Sequence, residues 1–186
     1  MTDKLITEIR TIADFSTTDI DLFLSSFSET FFAKGEHFLA EGKVSKHLGY
    51  IKSGLMMHYK IIDGIEIPAD FTKENEWIAY LKSFSTGVAS DMSIKAIEDT
   101  HLLTMSNTDM NELFSKQPKF MALRNYYTEL SFIRNTEHTT ALATLNAKQR
   151  YYKFMKDHPD LIKRVPQYYI AAYLGIKPQS LSRLRK

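Results

Sequence analysis

Polar and basic side chains recur at helical spacing near the end of the chain, in residues 166–186. Gln179, Ser182, Arg183 and Lys186 follow a three- and four-residue spacing, which places them on one side of a helix. An arginine can donate two parallel hydrogen bonds to guanine, and a glutamine can pair with adenine in the major groove. The pattern predicts a helix that contacts the base pairs of double-stranded DNA.

Phosphate contacts are predicted beside the side chains that contact bases. Ser180, Arg185 and Lys186 carry hydroxyl, guanidinium and ammonium donors, which suit phosphate oxygens. Such contacts fix the position of a protein on DNA and carry no sequence information. The alternative is an ordinary helical hairpin with a solvated polar face, because short helix-turn-helix patterns are not highly specific.

Two short helices must position that face, and the sequence marks both of them. The first helix has an apolar side formed by Ile170, Ala171 and Leu174. Gly175 supplies the left-handed residue that ends this helix, and Pro178 is tolerated at the first position of the next one. Leu181 and Leu184 form the buried side of the second helix. The segment therefore predicts a helix-turn-helix.

Charge is divided unevenly along the chain. The whole sequence has 24 Lys and Arg against 22 Asp and Glu, a net charge of +2. Residues 148–186 hold ten of the basic residues and only two acidic ones, whereas residues 1–147 hold 14 basic and 20 acidic ones. A basic C-terminal module on an acidic body is typical of a nucleic-acid binder with a separate regulatory domain. A solvated basic surface has the same composition, so the charge supports DNA binding without proving it.

Composition limits the remaining classes of function. The 186 residues contain no cysteine, which excludes disulfides, thiolate zinc sites, cysteine-ligated iron–sulfur clusters and thiol redox sensing. No apolar stretch approaches the roughly 20 residues that cross a bilayer, and the N-terminus lacks a signal-peptide pattern. We therefore expect a cytoplasmic protein with no membrane partner, built as one core with a small appended module.

Short strands are predicted over the residues that precede residue 107. They are rich in aromatic and branched side chains and are separated by glycine turns. The predicted strands are Phe31–Phe32, His37–Ala40, Leu48–Lys52, Leu55–Ile62, Glu66–Phe71, Ser90–Ala96 and His101–Ser106. A helix over Asp19–Phe27, capped by Thr18, is predicted before them. About eight short strands favour an antiparallel barrel or jelly roll over a parallel α/β sheet.

A long helix is predicted after the strands. A short helix over Thr108–Phe114 precedes it, and the long one begins at Pro118 and runs to about Leu145 without an internal glycine or proline. One apolar seam lies along its first part, formed by Phe120, Leu123, Tyr127 and Leu130. We interpret this seam as a homodimer interface, because helix-turn-helix proteins commonly bind two half-sites about 34 Å apart. The alternative is that this face packs on the chain's own barrel.

The order of these parts resembles the Crp/Fnr family of transcriptional regulators. The specific similarities are Lys34-Gly35-Glu36, Glu41-Gly42, Gly49 to Gly54 and Gln167 to Arg183. The stretch from Arg164 to Arg185 is similar to the form found in Bacteroidetes members. Only the ordered combination of these motifs is specific, and it covers nearly the whole chain.

The resemblance implies an α+β chain with three parts. These are a cyclic-nucleotide-binding-like antiparallel β-roll (jelly roll) over residues 1–117, a dimerisation helix over 118–145, and a winged-helix-like helix-turn-helix over 146–186. It also implies that Gln179 and Arg183 contact bases and that Ser180 contacts phosphate. A regulator of this type recruits or blocks RNA polymerase, so the polymerase is a further expected partner.

The residues that would hold a cyclic nucleotide are missing. Members of the family place a Gly-Glu pair on the ribose and an Arg-Ser or Arg-Thr pair on the cyclic phosphate, and the matching positions here are Ala79-Tyr80 and Ser90-Asp91. No arginine occurs between Arg10 and Arg124, so the barrel lacks a bidentate phosphate clamp. The sequence therefore predicts no response to cyclic AMP or cyclic GMP in the family's usual way.

Aromatic and apolar residues near that loop suggest a pocket for a different, unidentified small-molecule effector. Its candidate lining is Trp77, Ala79, Tyr80, Leu81, Ser90 and Asp91. The alternative is that the aromatic members belong to the core. No resident cofactor is predicted.

Two other functions stay open at this level. One is a small-molecule sensor whose helix-turn-helix serves protein interaction and so lacks the steep salt dependence of phosphate contacts. The other is an enzyme on a cupin-like barrel, which needs clustered metal-binding histidines. The histidines of the predicted barrel are scattered without a His-x-His pair, and they are His37, His47, His58 and His101. Nucleophile and zinc motifs are absent as well, so we predict no enzyme, no catalytic residue and no metal site.

Overall fold

The computed structural model describes residues 3–185, and side chains from residue 4 onward. Two compact units make up the chain. The first, here called the roll unit, contains the residues up to His58 and Phe71–Glu129. The second, here called the C-terminal unit, contains Tyr59–Asp70 and the residues from Leu130 onward. The outer part of one β-hairpin therefore groups with the C-terminal helices.

The secondary structure alternates helices with short strands. The helices of the described residues are α1 (Asp3–Ile12), α2 (Thr17–Ser25), α3 (Leu81–Thr86), α4 (Asn107–Lys116), α5 (Met121–Thr144), α6 (Ala147–Asp157), α7 (Leu161–Arg164), α8 (Gln167–Tyr173) and α9 (Pro178–Leu184). A 3-10 turn over Pro118–Phe120 leads into α5. The strands are β1 (Ser28–Phe32), β2 (His37–Leu39), β3 (His47–Ser53), β4 (Leu55–Ile62), β5 (Ile65–Lys73), β6 (Trp77–Ile78), β7 (Ser93–Ala96) and β8 (Thr100–Ser106).

The strands form two four-stranded sheets, and this confirms the predicted antiparallel roll. One sheet has the order β1-β8-β3-β6 and the other has the order β2-β7-β4-β5. The pairing of β8 with β1 and with β3 is antiparallel, and so is that of β2 with β7. Strands far apart in sequence therefore lie side by side, as the jelly-roll prediction requires.

The β4–β5 hairpin turns on two residues, Asp63 and Gly64. Their φ angles are 51° and 78°, so both lie in the left-handed region. Two consecutive positive φ values are characteristic of the type I′ turn, which matches the twist of the flanking strands and favours Asp-Gly.

The cap of α2 differs from the prediction, which placed Thr18 there. Ser16 is the capping residue: its hydroxyl accepts from the Asp19 backbone N–H at 3.1 Å, and the Asp19 carboxylate accepts from the Ser16 backbone N–H at 2.9 Å. This reciprocal pair is a capping box, and it begins the helix before Thr18. The helix also ends at Ser25, two residues before the predicted end.

Several short elements were not predicted from the sequence. They are α1, β6, α3, α6 and α7. Helix α1 has an apolar face at four-residue spacing, and its Leu5 and Ile9 are fully buried. Strand β7 begins at Ser93 and not at Ser90, because the Ser90 hydroxyl donates to the Met92 carbonyl at 2.6 Å and forms a turn there.

Two apolar clusters form the core of the roll unit. The first joins α1, α2 and the start of α5 to the sheet, through residues such as Ile9, Phe23 and Tyr50. The second is enclosed by the strands and includes Ile51, Met56 and Leu102. Burial of this apolar surface is the main stabilising contribution to the roll.

The predicted dimer seam on α5 needs correction. Phe120 and Leu123 belong to the first core cluster, with Phe120 0% exposed, and Tyr127 packs against the same cluster. These side chains are covered by the chain itself because α5 needs its apolar side to pack on the roll. Only Leu130 of the predicted seam is exposed, at 43%.

The C-terminal unit is helical apart from the hairpin end. Residues 107–185 contain no strand, so the wing of the predicted winged-helix-like module does not occur in this part of the chain. The predicted boundaries at residues 117 and 145 lie at the ends of α4 and α5, whereas the compact units divide within α5. No helix of the described residues is both long enough and apolar enough to cross a bilayer.

Candidate nucleic-acid interface and the phosphate loop of the roll

The turn between α8 and α9 is built on Gly175. Its φ of +62° is left-handed, and its N–H donates to the Ala172 carbonyl at 3.0 Å. The following N–H, that of Ile176, donates to the Ala171 carbonyl at 2.9 Å. These two bonds form a Schellman motif, which satisfies the last carbonyls of α8 and reverses the chain. Glycine is therefore the residue that fits, as the sequence predicted.

Helix α9 begins without a side-chain cap. Lys177 occupies the capping position with extended backbone, and Pro178 lies at the first helical position. The Lys177 carbonyl accepts from the Ser180 N–H at 2.9 Å, which starts the helical bonding. Proline loses nothing at this place because its missing N–H would have no helical partner.

The polar face of α9 is turned to solvent. Leu181 is 1% exposed and anchors the opposite side of the helix. Gln179, Ser182 and Arg183 are exposed, and so is Arg185 just beyond the helix. Ser180 is half-buried. Lys186, also predicted to contact DNA, lies outside the described residues.

Arg150 on α6 links the end of α8 to the end of α5. Its Nε donates to the Leu174 carbonyl at 2.7 Å, and its Nη1 donates to the Leu145 carbonyl at 2.6 Å. Those carbonyls belong to chain segments that end α8 and α5, where helical partners run out. One guanidinium thus donates hydrogen bonds to carbonyls at the ends of both helices. The sequence did not predict this role, because an isolated arginine forms no spacing pattern.

An aromatic stack fills the interior of the C-terminal unit. The His138 ring on α5 lies over the Tyr173 ring on α8 with centroids 4.2 Å apart and planes 16° apart. Phe154 on α6 contacts the same tyrosine at 5.6 Å. Burial raises the pKa of Tyr173 well above its usual range. Burial also lowers the pKa of His138, and the nearby Arg134 charge lowers it further while Asp70 opposes the shift.

A cavity opens beside this stack, and its charged groups are engaged with one another. Lys153 lies 2.7 Å from the Asp157 carboxylate and 4.0 Å from that of Glu137. The hydrogen bond to Asp157 raises the pKa of Lys153. The Lys153 ammonium in this cavity is therefore paired with carboxylates, whereas the polar side chains of α9 are exposed to solvent.

The loop of the roll that would hold a cyclic phosphate is acidic. The Tyr80 hydroxyl donates a short hydrogen bond to the Asp91 carboxylate, and the Lys82 ammonium lies 3.6 Å from the same group. Burial and the hydrogen bond to Asp91 raise the pKa of Tyr80 to about 12. A phosphate here would meet the carboxylate of Asp91, and the sequence has no arginine between Arg10 and Arg124 to offset it.

The hydroxyl and the carbonyl of Ser90 in the same loop form hydrogen bonds with backbone groups. The residue is buried, its hydroxyl accepts from the Met92 N–H at 3.1 Å, and its carbonyl accepts from the Gly42 N–H at 2.7 Å. The serine therefore shapes the loop and does not present a free hydroxyl to a ligand.

The predicted effector pocket is only partly assembled. Tyr80 and Asp91 meet, whereas Trp77 packs among core rings: its centroid lies 5.2 Å from those of Tyr50 and Tyr127. Leu81 is exposed at the start of α3. Trp77 therefore belongs to the core, which was the alternative interpretation of the sequence.

An exposed apolar strip lies on α5, beside and beyond the buried part of the predicted seam. Tyr126, Leu130 and Ile133 are exposed and follow a four- and three-residue spacing, which places them on one side of the helix. Leu130 lies one heptad after the buried Leu123 and so on nearly the same side of the helix, whereas Tyr126 and Ile133 lie beside that line. The predicted seam is therefore buried at its start and exposed at Leu130.

The described residues thus form a roll of two antiparallel sheets followed by helices. Residues 29–117 match the family model of the cyclic nucleotide-binding domain. Tyr80 and Asp91, where the chain departs from the family's ligand-binding pairs, lie inside the matched segment.

Several solved structures have a similar fold. The c-di-GMP-responsive global regulator CLP of Xanthomonas campestris is 15% identical with a TM-score of 0.71, and the match covers 91% of this chain and 89% of that one. FixK2 of Bradyrhizobium japonicum is 16% identical with a TM-score of 0.74, covering 86% and 82%. A protein of Eubacterium rectale assigned to the Crp/Fnr family of transcriptional regulators is 16% identical with a TM-score of 0.71, covering 92% and 82%. No curated protein sequence matches this chain.

Proposed function

We propose that this chain is a sequence-specific, DNA-binding transcriptional regulator of the Crp/Fnr type. The observation that carries the proposal is the polar face of α9. Gln179, Ser182 and Arg183 are exposed on a helix whose other side is anchored by the buried Leu181. Such a helix can enter a major groove with its donors directed at base edges.

The charge distribution supports the same assignment. The basic residues concentrate in residues 148–186, and Arg183 and Arg185 are exposed at the end of that segment. In contrast, Arg150 and Lys153 are engaged inside the unit. The basic charge at α9 is therefore available for phosphates, whereas part of the remaining charge stabilises the fold.

A homodimer would present two such faces to an inverted repeat. We place its interface on the strip formed by Tyr126, Leu130 and Ile133, because these apolar side chains are exposed along a helix of 24 residues. An exposed apolar strip of this kind is typical of an interaction surface. RNA polymerase would then be contacted by the DNA-bound dimer in the cytoplasm.

The regulator we propose does not respond to cyclic AMP or cyclic GMP. Asp91 stands where a cyclic phosphate would be held, and its carboxylate is engaged by Tyr80 and Lys82. If a small-molecule effector exists, it needs a different chemistry from a cyclic nucleotide. The roll would then act through a ligand that tolerates a carboxylate in this loop.

Substitution of the two exposed arginines tests the assignment. Arg183→Ala should weaken binding to the preferred duplex by about 1–3 kcal/mol and relax the preference at one base pair. Arg185→Ala should weaken binding to all duplexes alike and reduce the salt dependence by about one phosphate contact. Equilibrium binding to the preferred and to a scrambled duplex, at several salt concentrations, measures both effects.

Arg10→Ala is the matched control, because it removes the same charge from an exposed position on α1. It should leave both affinities within about twofold. Equal losses on preferred and scrambled DNA for Arg183→Ala would contradict base contact. Binding without steep salt dependence would favour the protein-interaction alternative.

A further inference from the structure

The β4–β5 hairpin is divided between the two compact units. Met57 and Phe71, in its inner part, are buried and belong to the roll unit. Its outer part, Tyr59–Asp70, groups with the C-terminal helices. Strands β4 and β5 are therefore divided between the two units.

One contact of the outer hairpin reaches the helix-turn-helix directly. The Tyr169 hydroxyl on α8 donates a short hydrogen bond to the Glu66 carboxylate on β5. Tyr169 is only 7% exposed, so its hydroxyl is removed from bulk water and needs a protein partner. Burial and this hydrogen bond raise the pKa of Tyr169 well above its usual range, so the hydroxyl keeps its proton and remains a donor.

A second contact lies on the same face of β5. The Arg134 guanidinium on α5 donates to the Asp70 carboxylate at 2.7 Å. Residues four apart on a strand share a face and lie about 13 Å apart. Glu66 and Asp70 are therefore two separated points of attachment, and Pro68 between them is buried on the same side.

We infer that Glu66 and Asp70 are positioning residues for DNA binding, which hold α8 and α5 to the hairpin and so fix the orientation of α9. The inference rests on the proposed function for its role, whereas the attachment itself can be tested without DNA. Because the helices are held at two separated points, they cannot rotate freely about either contact. Each point is a charge-assisted hydrogen bond, which is stronger than one between neutral groups.

The benefit of a fixed orientation should depend on how many half-sites are bound. A dimer that binds two half-sites needs both reading helices in the correct relative orientation, and each degree of freedom lost on binding weakens the affinity. A single half-site makes no such demand on orientation. Loosening the hairpin contacts should therefore weaken binding to an inverted repeat and leave binding to one half-site nearly unchanged.

The attachment can be measured as a distance distribution. Because the chain has no cysteine, Ile61→Cys and Ser182→Cys introduce two unique sites for spin labels at exposed positions of the C-terminal unit. Pulsed electron resonance should give one narrow distance distribution for the labelled protein. Tyr169→Phe and Glu66→Gln should each broaden it, and Asp70→Asn should broaden it as well.

Tyr152→Phe is the matched control, since it removes a hydroxyl from an exposed tyrosine on α6. The control should leave the distribution narrow. Unchanged distributions in Tyr169→Phe, Glu66→Gln and Asp70→Asn would overturn the inference. This measurement uses no DNA, so its result is independent of whether the proposed function holds.

The functional consequence uses unlabelled protein and two duplexes. We expect Tyr169→Phe to weaken binding to the selected inverted repeat about tenfold, in line with the loss of one hydrogen bond to a charged group. Binding to a single half-site should change less than twofold, and the melting temperature of the roll unit should stay the same. Equal weakening on both duplexes would overturn the positioning role and indicate a merely structural one.

Discussion

Two regions of this chain could meet a phosphate group, and their polar groups are arranged in opposite ways. In the loop of the roll, Asp91 is engaged by Tyr80 and Lys82, and Ser90 bonds to its own loop. On α9, Gln179 and Arg183 are exposed to solvent. The first region is acidic and internally satisfied, whereas the second is basic and open.

If the proposed function holds, anion recognition in this chain depends on which donors are left available, and not on the fold. The roll matches the cyclic nucleotide-binding domain over residues 29–117, yet the loop lacks the guanidinium that a phosphate requires. The C-terminal unit uses Arg150 to hold its own carbonyls and leaves Arg183 exposed. The following predictions test this contrast and the packing that supports it, from the largest expected effect on DNA binding to the smallest.

Removing Arg150 should have the largest effect in the C-terminal unit. Arg150→Ala leaves the carbonyls of Leu174 and Leu145 without their donor, so we expect a loss of about 3 kcal/mol in local stability. DNA binding should fall at least about 100-fold, because the reading helix loses its support. Hydrogen exchange measures the change in α8 and α9, with the strands of the roll as an internal control. Faster exchange throughout the roll as well would contradict the local role.

The buried and the exposed apolar side chains at and before the first half of α5 should respond differently to substitution. Phe120→Ala should destabilise the roll unit by about 3–5 kcal/mol, because it empties a fully buried site. Leu130→Ser should change the stability of the monomer by less than about 1 kcal/mol and should weaken the dimer. Chemical denaturation and sedimentation equilibrium separate the two results. A dimer that tolerates Leu130→Ser and Ile133→Ser together would rule out the exposed strip as the interface.

The pH dependence of the C-terminal unit should report on His138. Burial lowers the pKa of His138 in the folded protein, whereas the unfolded chain takes up a proton near the ordinary value of about 6.5. The stabilisation is therefore complete above that value and is lost as the pH falls through the lower folded pKa.

Thermal unfolding between pH 7.5 and 5.5 should show this decline, and His138→Phe should make it shallower. The phenylalanine keeps a ring beside Tyr173 and cannot titrate. A decline that is as steep in the variant as in the parent protein would exclude His138 as its source.

Cyclic nucleotides should have no effect at all. A ligand at 100 times its dissociation constant would stabilise the protein by about 2.7 kcal/mol, which a thermal shift detects easily. We expect no shift with cyclic AMP, and none for Asp91→Ser, because the loop still lacks an arginine. A clear shift for the parent protein would refute the contrast between the two regions.

The sequence was informative where local chemistry decides structure. The Gly175 turn, Pro178 at the start of α9 and the antiparallel strands were predictable, because glycine, proline and alternating apolar residues have direct backbone consequences. The exposed polar face of α9 was predictable from its spacing for the same reason. The prediction that Thr18 caps α2 was wrong, because Ser16 and Asp19 form the capping box and the helix begins at Thr17.

The sequence was uninformative where distant residues decide. Phe120 and Leu123 were predicted to form a dimer seam because spacing alone does not say which part of an apolar stripe the chain itself covers. The contacts of Arg150 and of Glu66 with Tyr169 join residues far apart in sequence, and no local pattern marks them. Helix α1 was missed because a short amphipathic segment at the N-terminus was considered only for targeting.

Selection of bound fragments from a random duplex library tests the central claim most directly. The experiment uses the protein and its Arg183→Ala variant at physiological salt, without added ligand. We predict that the protein enriches an inverted repeat and that the variant enriches a repeat with one relaxed position in each half-site. Enrichment of no sequence by the protein, or of the same unrelaxed repeat by the variant, would contradict base recognition by α9.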